Sequence, residues 1–259
     1  MSIARSLRIL GYSGLGGYVT VFQGFGLLKM PIFRLEEHEL RILFVHIPKN
    51  GGGSVEHFFR AHGFNVDLFS IDPSFISCFK CSPQHMHASM LSSLLNLENF
   101  DYIFTIFRNP LDRVLSEYKW RIQHPWSGHG FDSWYLKVRS ERRRNPYLFD
   151  NHLRPQIEFL LPKIKIFAFD LGFSAILDEV AKDIGLQVDL GKVVNQKLGR
   201  RLHQIRHDPR LLCLYQNASI STQIRQLILS DYEQDIQIFS RVVGGIHGSL
   251  QYELNCLGD

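Results

Sequence analysis

Cysteine is scarce in this chain, four in 259 residues, which excludes a disulfide framework and suits a reducing compartment. Cys78-Phe79-Lys80-Cys81 has the spacing of a zinc or redox pair, with His85 and His87 close by, but no second pair follows at ribbon spacing. No metal site is expected. Strong charge is lacking too: the net charge of +4 and a pI near 8.9 suit small anionic ligands and are too weak to argue for a nucleic-acid partner. Internal repeats and low-complexity tracts are absent, and no cleavable signal is expected, because the long uncharged stretch near the start is glycine-broken.

Only one uncharged run has the length of a membrane span, Ile9 to Leu28, bracketed by Arg5, Arg8 and Lys29. Six glycines and several polar residues interrupt it, so a loosely packed or surface-lying arm is expected, with membrane association through residues 9–28 as the alternative. The expected location is cytoplasmic or membrane-associated, with Golgi-type anchoring less favoured. Residues 1–39 are read as this arm and residues 40–259 as one domain, for which 45% hydrophobic and 21% charged residues supply an ordinary core.

What the chain does contain is an apolar strand running into a glycine turn, Ile42-Leu43-Phe44-Val45-His46-Ile47-Pro48-Lys49-Asn50-Gly51-Gly52-Gly53-Ser54. Consecutive glycines let backbone N–H groups converge, and a helix opened by Ser54 turns its positive dipole end to the same pocket. The turn reads as an oxyanion cradle. Its lysine precedes the glycines, whereas the nucleotide-hydrolase loop puts Lys after them and a metal-holding hydroxyl next to it. No acidic pair stands beside the cradle to hold magnesium, which disfavours a kinase.

A second strand-turn-helix follows: Asp101-Tyr102-Ile103-Phe104-Thr105-Ile106-Phe107, then Arg108-Asn109-Pro110, with Asn109 suited to the N-cap and Pro110 to the first helical position. Arg108 is expected at the strand end and Ser116 on the helix, where Arg113 shares a face with it. An arginine fork and a serine hydroxyl suit a phosphate monoester. Pro-Lys-x-Gly-Gly-x-Ser after one strand, and Arg108 followed eight residues later by Ser116 after another, together resemble the sulfotransferases that use 3′-phosphoadenosine 5′-phosphosulfate (PAPS).

The resemblance is closest to the carbohydrate sulfotransferases and runs over roughly residues 40–240. It implies a 5′-phosphosulfate site at Lys49, Asn50, Gly51, Gly52, Gly53 and Ser54, and a 3′-phosphate site at Arg108 and Ser116. It also implies a carbohydrate or glycoconjugate acceptor. Asn50 and Gly53 stand where the family often has threonine, so the cradle is expected to rely on backbone N–H groups and Ser54. His152-Leu153-Arg154-Pro155-Gln156 resembles the family's His-x-x-Pro-Gln element, with Leu153 where an aromatic is frequent. Tyr232-Glu233-Gln234-Asp235 resembles its Tyr-x-x-Asp ending, and Asn195 an asparagine of a loop over the nucleotide.

Sulfuryl transfer needs a base for the acceptor proton and a cation on the departing phosphate oxygen. Lys49 is the expected cation. His85 and His87, in the interval where the related enzymes carry a His-x-His or Gly-His base, are both candidates, with His85 preferred at the loop-helix junction. No metal is required. The rival functions are an NTP-dependent kinase-like phosphotransferase and a nucleotide-binding protein without catalysis.

Coarse patterning predicts strands at 41–47, 101–107 and 164–169, with a strand-like stretch at 64–71. Helices are predicted near 55–62, 87–97, 110–123, 173–185 and 218–229, with another starting near 231. Residues 124–150 read as an inserted loop with short helical pieces, and the arginines at 139, 142–144, 200, 201, 206 and 210 as solvated faces or an acidic-acceptor dock. Alternating strands and helices predict an α/β, P-loop-like three-layer fold with a central, mainly parallel sheet. Both phosphate motifs would then fall at strand C-terminal ends.

Overall fold

The computed structural model describes residues 32–35, 39–67, 80–122, 130–187, 209–216, 218–245 and 248–252. The arm at 9–28, Cys78, Asn195 and the arginines at 200, 201 and 206 lie outside them. Six strands form one sheet: β1 (Ile32–Leu35), β2 (Leu40–Phe44), β3 (Asn65–Asp67), β4 (Tyr102–Phe107), β5 (Ile164–Ala168) and β6 (Ser249–Tyr252), in the spatial order β3-β1-β2-β4-β5-β6. The central pairs β2–β4 and β4–β5 are parallel, and the outer pairs are antiparallel. β1 lies within the stretch read as an arm. It pairs with β2 along its whole length, so a boundary at residue 39/40 would cut a β-hairpin.

Strand alternation sorts the core into two layers. Ile42, Phe44, Phe104, Ile106 and Phe167 pack with α1 (Gly52–Ala61) and α5 (Phe173–Asp183). Leu43, Phe107, Ile164, Ile166 and Ala168 face the other way, toward α2 (Ala88–Leu94) and α8 (Glu233–Gly244). The result is the expected α/β arrangement, helices on both faces of a sheet whose core is parallel. A satellite cluster joins α3 (Pro110–Arg121), α4 (Phe131–Arg144) and α7 (Thr222–Asp231), and α6 (Pro209–Gln216) precedes α7 in the chain.

α4 corrects the reading of 124–150 as an inserted loop with short helical pieces, since it runs unbroken for 14 residues. Phe131, Trp134, Tyr135 and Val138 recur at helical spacing and are buried, and that stripe outweighs the glycine, proline and charge around it. Arg139 and Arg142 are not merely solvated either: Arg139 grips Asp231 through two bonds of 2.6 and 2.8 Å, with Arg142 Nη2 3.8 Å from the same carboxylate. Arg144 remains exposed beside Glu141. Among the described residues no helix is long and apolar enough to cross a membrane.

Candidate active site

β2 and β4 are adjacent and parallel, so the loops leaving their C-terminal ends meet. Beyond β2 the chain continues pairing, Val45 N–H to Phe104 O at 2.9 Å, before turning at Lys49, whose φ is 72°. α1 begins at Gly52 rather than near residue 55, with Gly51 as its N-cap at φ 84°. Ser54 is therefore inside the first turn, its N–H closing on Gly51 O at 2.8 Å, and not the residue that opens the helix. The amides of Gly52 and Gly53 precede it, where a helix offers N–H groups no carbonyl of its own. Glycine is needed here for packing as well as for amide exposure. A Cβ on Gly51 would lie 2.0 Å from the Phe173 ring, and one on Gly52 2.1 Å from His46 Nε2.

A cavity of about 340 Å³ opens at this junction, lined by Lys49, Gly51, Gly52, Gly53 and Ser54 from the first loop and helix and by Arg108 and Ser116 from the second. His46, His85, Trp120, His152, Phe169 and Phe173 complete the wall. Two expected site residues are not brought in. Asn50 is buried and turned into the protein, its amide donating to Ile106 O at 2.6 Å and Gln156 Oε1 at 2.7 Å, because those acceptors lie beneath the loop. His87 is also buried outside the cavity lining, its ring 6.0 Å from that of Tyr147.

Arg108 and Arg113 divide the work that sequence spacing alone would share between them. Arg108 reaches the cavity with its guanidinium 4.4 Å above the Phe169 ring and Nη1 3.1 Å from Lys49 O. Burial lowers its proton affinity, with Asp112 and Asp170 opposing, so an anion placed beside it would favour the charged guanidinium. Arg113, in contrast, is buried and fully engaged with carbonyls: Nε to Pro48 O, Nη1 to Arg154 O and Nη2 to His152 O, at 2.9–3.0 Å. It is a brace, and Ser116 shares the cavity with Arg108 instead.

Gln156 joins the two loops. Its Oε1 accepts from Asn50 and, at 3.1 Å, from Arg108 N–H, while its Nε2 donates to Arg108 O at 2.8 Å. Asp235, fully buried at the start of α8, accepts from the N–H groups of Gln156 and Ile157 at 2.8 and 2.9 Å. The His-x-x-Pro-Gln and Tyr-x-x-Asp elements thus act as the clamp behind the site. Leu153 is buried in the helical cluster and forms no cavity wall, so the loss of an aromatic there loosens nothing in the site.

Two carboxylate-imidazole pairs stand at the cavity. Asp150 Oδ2 accepts from His85 Nδ1 at 2.7 Å, and the same carboxylate accepts from the N–H and hydroxyl of Ser82. Burial alone would push the Asp150 carboxyl up; the bonds from His85 and Ser82 outweigh it and hold the group below the usual range. Three successive left-handed residues, Phe149, Asp150 and Asn151 at φ 54°, 60° and 65°, aim it there, and Asn151 Nδ2 ties His85 O at 2.8 Å. Glu117 Oε2 accepts from His152 Nδ1 at 2.7 Å, while its other oxygen takes Arg121 Nε at 2.7 Å. Lys49 Nζ stands 4.0 Å from Glu117 and 4.8 Å from the Trp120 ring centre. Burial opposes the Glu117 charge, but His152, Lys49 and Arg121 prevail and lower it to about 2.

A sulfotransferase-family model matches residues 32–240, from β1 into α8. The chain belongs to the sulfotransferase family. Membership supports sulfuryl transfer in general as its chemistry. Neither curated proteins nor solved structures give a significant match. Burial and Asp150 push the Cys81 thiol up to about 12, which keeps it protonated.

Sequence reasoning did not find His46, Trp120, Phe169 and Phe173 as wall residues of this sulfotransferase, nor the pairings of Asp150 and Glu117. One signal was available for Glu117: it falls with Arg113 on the buried stripe of α3 beside Val114 and Tyr118, where an unpartnered charge would be prohibitive.

Acid should loosen this framework in a defined order. Burial, with Arg154 adding to it, lowers His87 to about 4, and burial lowers His152 to about 4 against the pull of Glu117. Both depart from an unfolded value near 6.5, so the unfolded chain binds more protons between those limits and stability falls as pH drops through them. Glu117 extends the loss from the ordinary carboxylate value of 4.5 down to about 2. Urea unfolding from pH 7.5 to 4 is expected to show a decline of up to about 1.4 kcal/mol per pH unit from His152, with a smaller, solvent-screened share from His87. A flat profile over that range contradicts the neutral state of both.

Proposed function

We propose that the protein transfers a sulfuryl group from PAPS to a hydroxyl of a carbohydrate or glycoconjugate. The observation that carries this reading is one cavity lined at once by Lys49, the glycine-led start of α1, Arg108, Ser116 and His85. These residues suit the co-substrate's two anionic ends. Lys49, Ser54 and the Gly52 and Gly53 amides would hold the 5′-phosphosulfate, and Arg108 with Ser116 the 3′-phosphate. PAPS supplies the sulfuryl group and an anionic leaving phosphate.

His85 is the base in this scheme, since it alone of the two candidates lines the cavity. Its Nδ1–H is held by Asp150, which fixes the tautomer and leaves Nε2 bare to take the acceptor's proton. As the acceptor oxygen bonds to sulfur and the bond from sulfur to the bridging oxygen breaks, Lys49 neutralises the charge arriving on that oxygen. Acceptor identity is supported by the family elements around His152 and Tyr232, which resemble those of carbohydrate sulfotransferases.

Calorimetry with adenosine 3′,5′-bisphosphate tests the co-substrate. Arg108→Ala removes a charged, bidentate donor and is expected to weaken binding by roughly a hundredfold, given about 1.5–3 kcal/mol for a hydrogen bond to a charged group. Absence of binding, or binding indifferent to Arg108→Ala, sinks the assignment.

A further inference from the structure

We infer that the site selects acceptors presenting two adjacent hydroxyls, one to be sulfated at His85 and its neighbour anchored by His152; the inference rests on the sulfotransferase reading above. His85 and His152 approach edge to face, ring centres 4.9 Å apart, and both line the cavity. A ring nitrogen of each and an Asp150 oxygen lie within 4.8 Å of one another.

The tautomers of these rings are set by their carboxylate partners. Asp150 and Glu117 are ionised and can only accept, so Nδ1 of each imidazole carries the N–H that meets the carboxylate at 2.7 Å. In a neutral ring Nε2 is then a lone pair, and both rings line the same cavity. One hydroxyl has one proton and satisfies one of them. The second lone pair requires a second donor within a hydrogen bond's reach of the first. Neighbouring hydroxyls on a sugar ring, about 2.8 Å apart when they could hydrogen-bond to one another, meet that requirement, each donating to one Nε2. A lone hydroxyl leaves the His152 nitrogen desolvated and unpaired, the circumstance in which a polar site rejects an analogue most strongly.

His152 is also the only one of the pair whose ring nitrogen can be removed without disturbing the proposed base. Asn at position 152 keeps an N–H where Nδ1 stood, so the bond to Glu117 survives while the atom facing the cavity is lost. Its expected signature lies in KM, because anchoring binds the acceptor and does not take its proton.

The test uses PAPS and a panel of methyl hexopyranosides, each with its singly deoxygenated forms. Wild-type protein should favour glycosides that keep a hydroxyl adjacent to the modified one, with deletion of that neighbour raising KM by roughly ten- to a hundredfold. In His152→Asn the parent glycoside should show the same rise with kcat changed less than about threefold, and parent and deoxy forms should become alike. Equal KM for parent and deoxy acceptors in wild type overturns the inference. So does a fall in kcat alone in His152→Asn, or no transfer to any glycoside of the panel. Binding of adenosine 3′,5′-bisphosphate in the same preparations separates these failures from failure of the co-substrate assignment.

Discussion

His85→Ala is expected to lower sulfuryl transfer about a thousandfold while adenosine 3′,5′-bisphosphate binds as before, since loss of a general base costs roughly 10²–10⁴ in rate. His87→Ala should leave transfer within about threefold of wild type. The contrast comes from position: His85 lines the cavity, whereas His87 is buried to one side with its proton affinity lowered by burial and Arg154. Asp150→Asn offers an internal control. It replaces the acceptor at 2.7 Å from His85 Nδ1 with an amide that can present N–H, favouring the wrong tautomer, and should cost a hundredfold or more. Steady-state rates with circular dichroism on each variant decide the matter. Retained transfer in His85→Ala, beside losses in Lys49→Ala and Arg108→Ala, would remove His85 from the base role.

The strands and the two loops that line the cavity were legible because their signals are local. Apolar β-branched and aromatic runs end at Lys49 and at Arg108, and Asn109 with Pro110 announces α3; its cap bond, Leu111 N–H to Asn109 Oδ1, is 3.0 Å. The antiparallel edges were less so. β1 has four residues, and its partner is revealed only by the register Ile32–Leu43 to Leu35–Leu40. Asn50 was read as a phosphate ligand from its place in the glycine turn, but its direction is fixed by Gln156, more than a hundred residues away. Asp150 similarly meets His85 across 65 residues. Spacing within a motif reports which residues share an element. It does not report which side chains the other elements will claim.

Arg113 illustrates that limit most sharply and carries the second large prediction. Arg113→Ala should unfold the protein or lower its stability by about 3–5 kcal/mol, a large part of the 5–15 kcal/mol that holds a typical domain. Its guanidinium is buried and bonds three backbone carbonyls from Pro48, His152 and Arg154. Truncation leaves those carbonyls without that donor and opens a cavity beneath Lys49 and His152 together. Arg113→Lys should recover little, because an ammonium cannot reach three acceptors arranged for a planar fork. Arg108→Ala, five residues earlier, should change stability by less than about 1 kcal/mol while weakening bisphosphate binding. Urea denaturation of the three variants separates brace from ligand. Wild-type stability in Arg113→Ala together with lost bisphosphate binding would exchange the two roles and place Arg113, with Ser116 on its helical face, at the 3′-phosphate.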